Sequence, residues 1–206
     1  IGAIGAAGAI AAIGALAAAR PAAASAPFTL TSADRYRLNV LMRFELTARD
    51  LYQASLDAGL DGVAGEFAIT LVANHAAYAQ AIGGAAGISA RLRSSVLFDQ
   101  FVAPFATSDI PAWATAAHQL ESTFVATHTA AIGQFESIQA VNLVASIVAV
   151  EARQAMVIAD IGEFEWNAST LSAGDARALS LVLSEADATA TADADTIESE
   201  STEPAT

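Results

Sequence analysis

The sequence predicts an all-α protein, an up-down bundle of four helices with one long crossover, preceded by an apolar N-terminal helix. Three observations predict it. The chain is 54% hydrophobic, with Ala dominating, but only 7% aromatic, a composition that favours helices over strands. Capping residues and glycines punctuate it at long intervals between Ser32 and Ile161. The connections they leave run short, long, short, the pattern of a bundle with a single crossover.

The apolar segment comes first. Ile1–Ala19 carries no charge and as a helix would reach about 28 Å, close to the hydrocarbon thickness of a bilayer. Small residues, Ala22 to Ala26 before Pro27, then look like a signal-peptidase site. Two readings stand. One is a cleaved export signal, similar in its Gly and Ala content to twin-arginine signals. The other is a retained transmembrane anchor, on which Gly2, Gly5 and Gly8 offer a close-packing surface. The retained anchor is the expectation. Under either reading the body is expected on the extracytoplasmic side, periplasmic or outer. The chain therefore divides into residues 1–26 as signal or anchor and linker, 27–166 as the bundle, and 167–206 as a C-terminal extension.

Helix A is expected from Ser32, as N-cap, to Ala58, stopped by Gly59. The short Gly59–Gly62 link returns helix B antiparallel, from about Asp61 to Ile82, ending at Gly83-Gly84. A long connection follows, with a short helix at Ser94–Val102. Asp109 caps helix C, with Pro111 in its first turn, and helix C runs to about Gln134. Helix D then spans Ser137 to Ile161. Beyond Trp166 one more short helix is expected at Asp175–Ala186, followed by an acidic low-complexity tail.

Charge narrows the function classes. The formal net charge is −13, so phosphate-backbone binding is not expected and nucleic acid is no partner. No Cys is present, which excludes disulfides, thiolate catalysis and iron–sulfur ligation. No glycine-rich phosphate loop follows a strand, and no Ser/His/Asp arrangement stands out.

The informative signal lies on the inner stripes of the four helices. Helix A aligns Leu38, Leu41, Glu45, Ala48 and Tyr52; helix B aligns Leu71, Val72, His75, Tyr78 and Ile82. Helix C aligns Ala117, Glu121, Phe124, Val125 and His128; helix D aligns Val144, Ile147, Val148, Glu151, Gln154 and Ile158. Each stripe is otherwise apolar or aromatic and carries a carboxylate or imidazole near its centre. Glu45, His75, Glu121 and Glu151 fall at similar depths from their helix starts, so antiparallel packing brings them together. Several buried carboxylates require compensating protons or cations, and a metal ion is the expected one.

The segments LNVLMRFELTARDLYQASL, ITLVANHAAYAQAI, HQLESTFVATHTAAI and VASIVAVEARQAMVIAD resemble the ferritin-like, desiccation-related family of exported bacterial proteins. That resemblance implies a carboxylate-bridged di-iron bundle. Its ligand pattern is one Glu on helix A, Glu-x-x-His on B, one Glu on C and Glu-x-x-His on D. By that pattern Glu45, His75, Glu121 and Glu151 stand at ligand positions, while Val72 and Gln154 replace a bridging carboxylate and a histidine. Valine cannot bind metal and a glutamine amide is a weak ligand for iron, so paired-iron oxygen chemistry is not expected. What remains is a partial site for one Fe, Mn or Zn ion: Glu45, His75 and Glu151, with Glu121 as a further oxygen donor. The alternative is a metal-free relic in which His75 bonds Glu45 or Glu151, with Arg43 or Arg153 as the only other candidate cations. His118 is expected at the bundle boundary, and His128, two turns beyond Glu121, is expected too far away to share the ion. Tyr52 and Tyr78 are expected to pack beside the site, and Trp113 and Trp166 to anchor bundle ends.

Three functions fit these residues. The leading expectation is a non-catalytic, membrane-anchored accessory subunit of a membrane complex, respiratory or photosynthetic assemblies being natural hosts. The alternative is an exported metal-binding protein or oxidase with a mononuclear or atypical site, alone or as a homo-oligomer. The third, a stress- or desiccation-linked envelope protein, rests on the resemblance alone.

Overall fold

The structure is a computed structural model, and it describes residues 30–167, 170, 176–183 and 187. Among them are five α-helices and no strand: α1 (Ser32–Asp57), α2 (Gly62–Ala86), α3 (Ser95–Phe105), α4 (Ile110–Ile132) and α5 (Ile138–Ile161). The four long ones are the expected bundle helices. The expected apolar helix at residues 1–26 and the acidic tail beyond Asp187 lie outside the described residues.

The ends of these helices follow from side chains that satisfy the unpaired backbone groups of a helix terminus. The Thr31 hydroxyl accepts from Asp34 N, the Ser94 hydroxyl from Leu97 N, the Asp109 carboxylate from Ala112 N, and the Ser137 hydroxyl from Ala140 N. Thus Thr31, one residue before the expected Ser32, caps α1. Helix α2 runs past the expected stop at Gly83-Gly84. A Cβ on Gly83 would sit 2.9 Å from Ile88 O and 3.3 Å from Met42 Sδ, so this glycine permits a close approach inside a continuing helix. The terminator is Gly87, at φ +67°, a left-handed conformation that a side chain would strain.

Helix α1 lies along α2 and α4 along α5, and the two pairs meet through α1 with α4 and α2 with α5. The crossover helix α3 packs on α1. Two buried or bridging polar contacts tie distant segments to helix starts. Asp34, fully buried near the start of α1, accepts from Glu136 N and Ser137 N at the start of α5. Thr47 Oγ1 accepts from Ser94 N, fixing the start of α3 against α1. Between the helices lies a core of Leu38, Leu41, Leu51, Leu71, Ile82, Leu120, Phe124 and Ile158, all fully buried.

Residues 176–183, inside the expected helix Asp175–Ala186, are not helical. Leu179, Leu181 and Leu183 are half-buried against the core and alternate with Ser180 and exposed Val182, a period of two that matches an extended chain. This strap crosses the side of the bundle: Leu179 N donates to Thr127 Oγ1 on α4 and Leu183 N to the Tyr36 hydroxyl on α1. Buried Asp187 then accepts from Ser94 Oγ, Ser95 N and Ser95 Oγ at the start of α3. A carboxylate at a helix N-terminus is favoured by the helix dipole. By length and composition one described helix, α5, could cross a membrane; its inner stripe carries buried Glu151 and Gln154, which marks it as a core helix of the bundle.

Candidate metal centre

The inner stripes deliver five ionisable side chains to the interior, each with no exposed surface: Glu45 from α1, His75 from α2, Glu121 and His128 from α4, and Glu151 from α5. All four residues singled out from the sequence are therefore in one cluster, joined by His128. They form a chain and not a single slice. The Tyr52 hydroxyl donates to Glu121 Oε1 at 2.5 Å, and His75 Nε2 lies 3.1 Å from that same oxygen. His75 Nδ1 meets Glu45 Oε2 at 2.7 Å. On the far side of Glu45, its Oε1 is 3.0 Å from His128 Nε2, and His128 Nδ1 is 3.2 Å from Glu151 Oε2.

The two imidazoles are held differently. His128 Nδ1 lies 2.9 Å from the Phe124 carbonyl oxygen, one turn back on α4. A carbonyl only accepts, so this nitrogen carries the proton and Nε2 is left facing Glu45. His128 Nε2 with Glu45 Oε1, and His128 Nδ1 with Glu151 Oε2, stand at ion-pair distance outside hydrogen-bond alignment, and Glu151 Oε1 has no hydrogen-bond partner. His75, in contrast, has a carboxylate oxygen against each ring nitrogen.

Glu45, His128 and Glu151 each bring a ligand atom within 4.8 Å of the others, so that one ion could touch all three. Ligands about 2.0–2.2 Å from an ion at right angles to each other sit roughly 3 Å apart, which is the spacing of His128 Nε2 and Glu45 Oε1. The donor set, two carboxylates and one imidazole, suits Fe, Mn or Zn. A His whose other nitrogen is tied to a backbone carbonyl is the usual posture of a metal-ligating imidazole. The residues present fit a metal ion.

This corrects the expectation for His128. Along α4 it lies two turns from Glu121, but its partners, Glu45 and Glu151, reach it across the bundle from α1 and α5. The signal was available: seven residues from Glu121, it shares the same stripe. The one-histidine, two-carboxylate set thus contains His128, with His75 beside it on the other face of Glu45.

Electrostatics describe the same cluster without metal. Burial alone would raise the Glu45 carboxyl, but the imidazoles of His128 and His75 beside it hold it down at about 2. Burial would lower His75, and Glu121 and Glu45 outweigh it, raising the imidazole to about 10. Burial opposes His128 too, yet Glu151 and Glu45 raise it. Glu151 is pushed up to about 7, first by burial, with His128 opposing and Glu45 adding repulsion. Two imidazolium ions and one protonated carboxyl can thus neutralise the three glutamates, with protons standing where a cation would otherwise be.

Around the cluster, Tyr52 stacks on His75 with ring centroids 5.5 Å apart, and Tyr78 meets His75 edge-on at 5.7 Å. Burial, then Glu121, raises the Tyr52 hydroxyl; burial, then Glu45, raises Tyr78. Val72 is half-buried, and Gln154 is buried with neither amide atom in a well-formed hydrogen bond. The two candidate arginines lie elsewhere: Arg153 is exposed, and buried Arg43 reaches the Arg93 carbonyl and the charge of Asp187. His118 sits half-buried at the boundary, edge-on to Phe164, where burial lowers its pKa. Trp113 is fully buried beside Tyr52, but Trp166 is 57% exposed and anchors nothing in the core.

Residues 33–162 match the family model described as a ferritin-like domain. No curated protein and no solved structure matches the chain.

Proposed function

Because the chain belongs to the ferritin-like domain family, we propose that it is an exported protein binding one Fe, Mn or Zn ion through Glu45, His128 and Glu151. The observation that carries this reading is His128 Nε2, fully buried, unbonded and 3.0 Å from Glu45 Oε1. Val72 and Gln154 in place of a carboxylate and a histidine favoured a relic; a second imidazole from α4 restores a ligand set. Iron or manganese held there would supply one-electron redox or Lewis-acid chemistry, and zinc Lewis-acid chemistry alone. The uncharged Ile1–Ala19 and the small residues before Pro27 support export, with the segment either cleaved or kept as an anchor. Metal analysis of the purified chain tests the site. Wild type is expected to hold about one ion, with Glu45→Ala and His128→Ala empty and His118→Ala unchanged. Wild type that stays metal-free in excess Fe, Mn and Zn contradicts it.

A second reading keeps the bundle as an accessory subunit of a membrane complex. What favours it is the uncharged, apolar Ile1–Ala19, which as a helix is long enough to cross a bilayer. Purification in mild detergent distinguishes the readings: stable co-purification with membrane subunits supports the second, and a soluble chain beginning near Pro27 removes it.

A further inference from the structure

Glu45, His128 and Glu151 have no exposed surface, so an ion can reach them only where the bundle opens. Glu45 Oε1 and His128 Nε2, 3.0 Å apart, meet across the seam between α1 and α4. Those two helices lie farther from each other than the helices within either tight pair, α1 with α2 or α4 with α5. Two pieces of chain cover the seam from outside. The crossover helix α3 packs on α1 and touches α4. The strap, residues 176–183, runs from Leu179 N at Thr127 Oγ1 on α4 to Leu183 N at the Tyr36 hydroxyl on α1, with Leu179, Leu181 and Leu183 packed on the core. Thr127 directly precedes His128 and is fully buried. Its hydroxyl donates to the Thr123 carbonyl at 2.6 Å, which leaves a lone pair for the strap.

Asp187 joins the two covers. Its buried carboxylate accepts from Ser94 Oγ at 2.6 Å, Ser95 N at 2.9 Å and Ser95 Oγ at 3.1 Å, all at the start of α3. The α3 dipole and the positive charge of buried Arg43 favour a carboxylate there. Resting on the metal-centre reading above, we propose that the strap is a gate: with Asp187 latched on Ser94 and Ser95 it closes the α1–α4 seam over the ion, and its release lets the ion in and out. The candidate ligands come from α1, α4 and α5 and none from the strap. Unlatching therefore speeds entry and exit alike and leaves affinity nearly unchanged, as expected of a lid that touches no part of its ligand.

The test follows Mn(II) entering the metal-free full chain, read as loss of the free ion's paramagnetic resonance signal, and leaving it for excess chelator. Wild type is expected to take up the ion at a rate that levels off as Mn(II) is raised, because opening comes first. Asp187→Ala, and a chain ending at residue 175, are expected to take up and release the ion faster, with the dissociation constant nearly unchanged. The acceleration is on the order of 10–100-fold, as the loss of hydrogen bonds to a charged group implies. Asp109→Ala, which removes the cap at the far end of α4, is expected to keep the wild-type rates. Uptake that stays proportional to Mn(II) in wild type, or rates unchanged in both strap variants, overturns the gate and leaves the metal centre standing. Equal acceleration in Asp109→Ala assigns the effect to general loosening and also overturns the gate. Wild type that takes up no Mn(II), Fe(II) or Zn(II) overturns the metal centre, and the gate with it. Circular dichroism checks the fold of each variant, and where one does not fold, the concentration dependence in wild type decides.

Discussion

At the scale of single residues, the centre is a competition between protons and an ion for the same three carboxylates. The signs can be followed group by group. Glu45, held at about 2 against an ordinary 4.5, adds stability that is present above pH 4.5 and lost as pH falls towards 2. His75, raised to about 10 from 6.5, adds stability that is present below 6.5 and lost as pH rises through 10. Glu151, raised from 4.5 to about 7, binds its proton more tightly in the folded state, so its contribution declines between those values. The metal-free chain is therefore predicted to be most stable near pH 5 and to weaken towards pH 9. Thermal melts in the presence of a chelator check this; a melting temperature that climbs steadily from pH 5 to 9 would contradict it. Much of this was legible beforehand, because Glu45, His75, Glu121 and Glu151 interrupt otherwise apolar stripes. What the stripes could not give was which carboxylate faces which imidazole. That depends on rotation and translation between helices, and it turned His128 from an excluded residue into a ligand candidate.

At the scale of elements, stability at the ends depends on side chains that reach across the fold. Asp34 is buried and satisfies two backbone donors ahead of α5. Asp34→Ala leaves both donors without their acceptor and is predicted to cost about 1–3 kcal/mol in chemical denaturation. A loss below a few tenths would show that water replaces the carboxylate. The C-terminal strap works similarly through Asp187. Asp187→Ala, or truncation after residue 175, is predicted to lower the melting temperature and to increase hydrogen exchange at the start of α3 and along α1 and α4 near Tyr36 and Thr127. Unchanged exchange there would mean that the strap does not bear on those helices. The long helices were legible because caps and apolar periodicity agree at each one. The strap was not, because a short, Ala- and Leu-rich stretch suggests a helix by propensity, while the alternation of Leu179, Leu181 and Leu183 obeys a packing partner that the sequence does not display. Gly83 misled for a related reason: it serves close approach to Met42 and Ile88, not termination.

At the scale of the whole molecule, a ligand that binds only the folded bundle stabilises it by mass action, about 2.7 kcal/mol at a hundred times its dissociation constant. Because the ion competes with protons at Glu45, His128 and Glu151, the stabilisation by Mn(II) or Fe(II) is predicted to grow from pH 5 to pH 8, reversing the decline of the metal-free chain. An ion effect that is flat with pH would point to binding on the acidic surface of this chain of net charge −13 instead of in the core. The bundle architecture was legible as a whole from its connection lengths; the occupant of its interior was not, since protons and a metal ion satisfy the same cluster. Anomalous diffraction from crystals of the Mn(II)-loaded chain separates them most directly. The account predicts one peak, about 2.0–2.3 Å from His128 Nε2 and from oxygens of Glu45 and Glu151, with His75 still lodged between Glu45 and Glu121. A peak coordinated by His75, or fully loaded crystals with no peak inside the bundle, would contradict it.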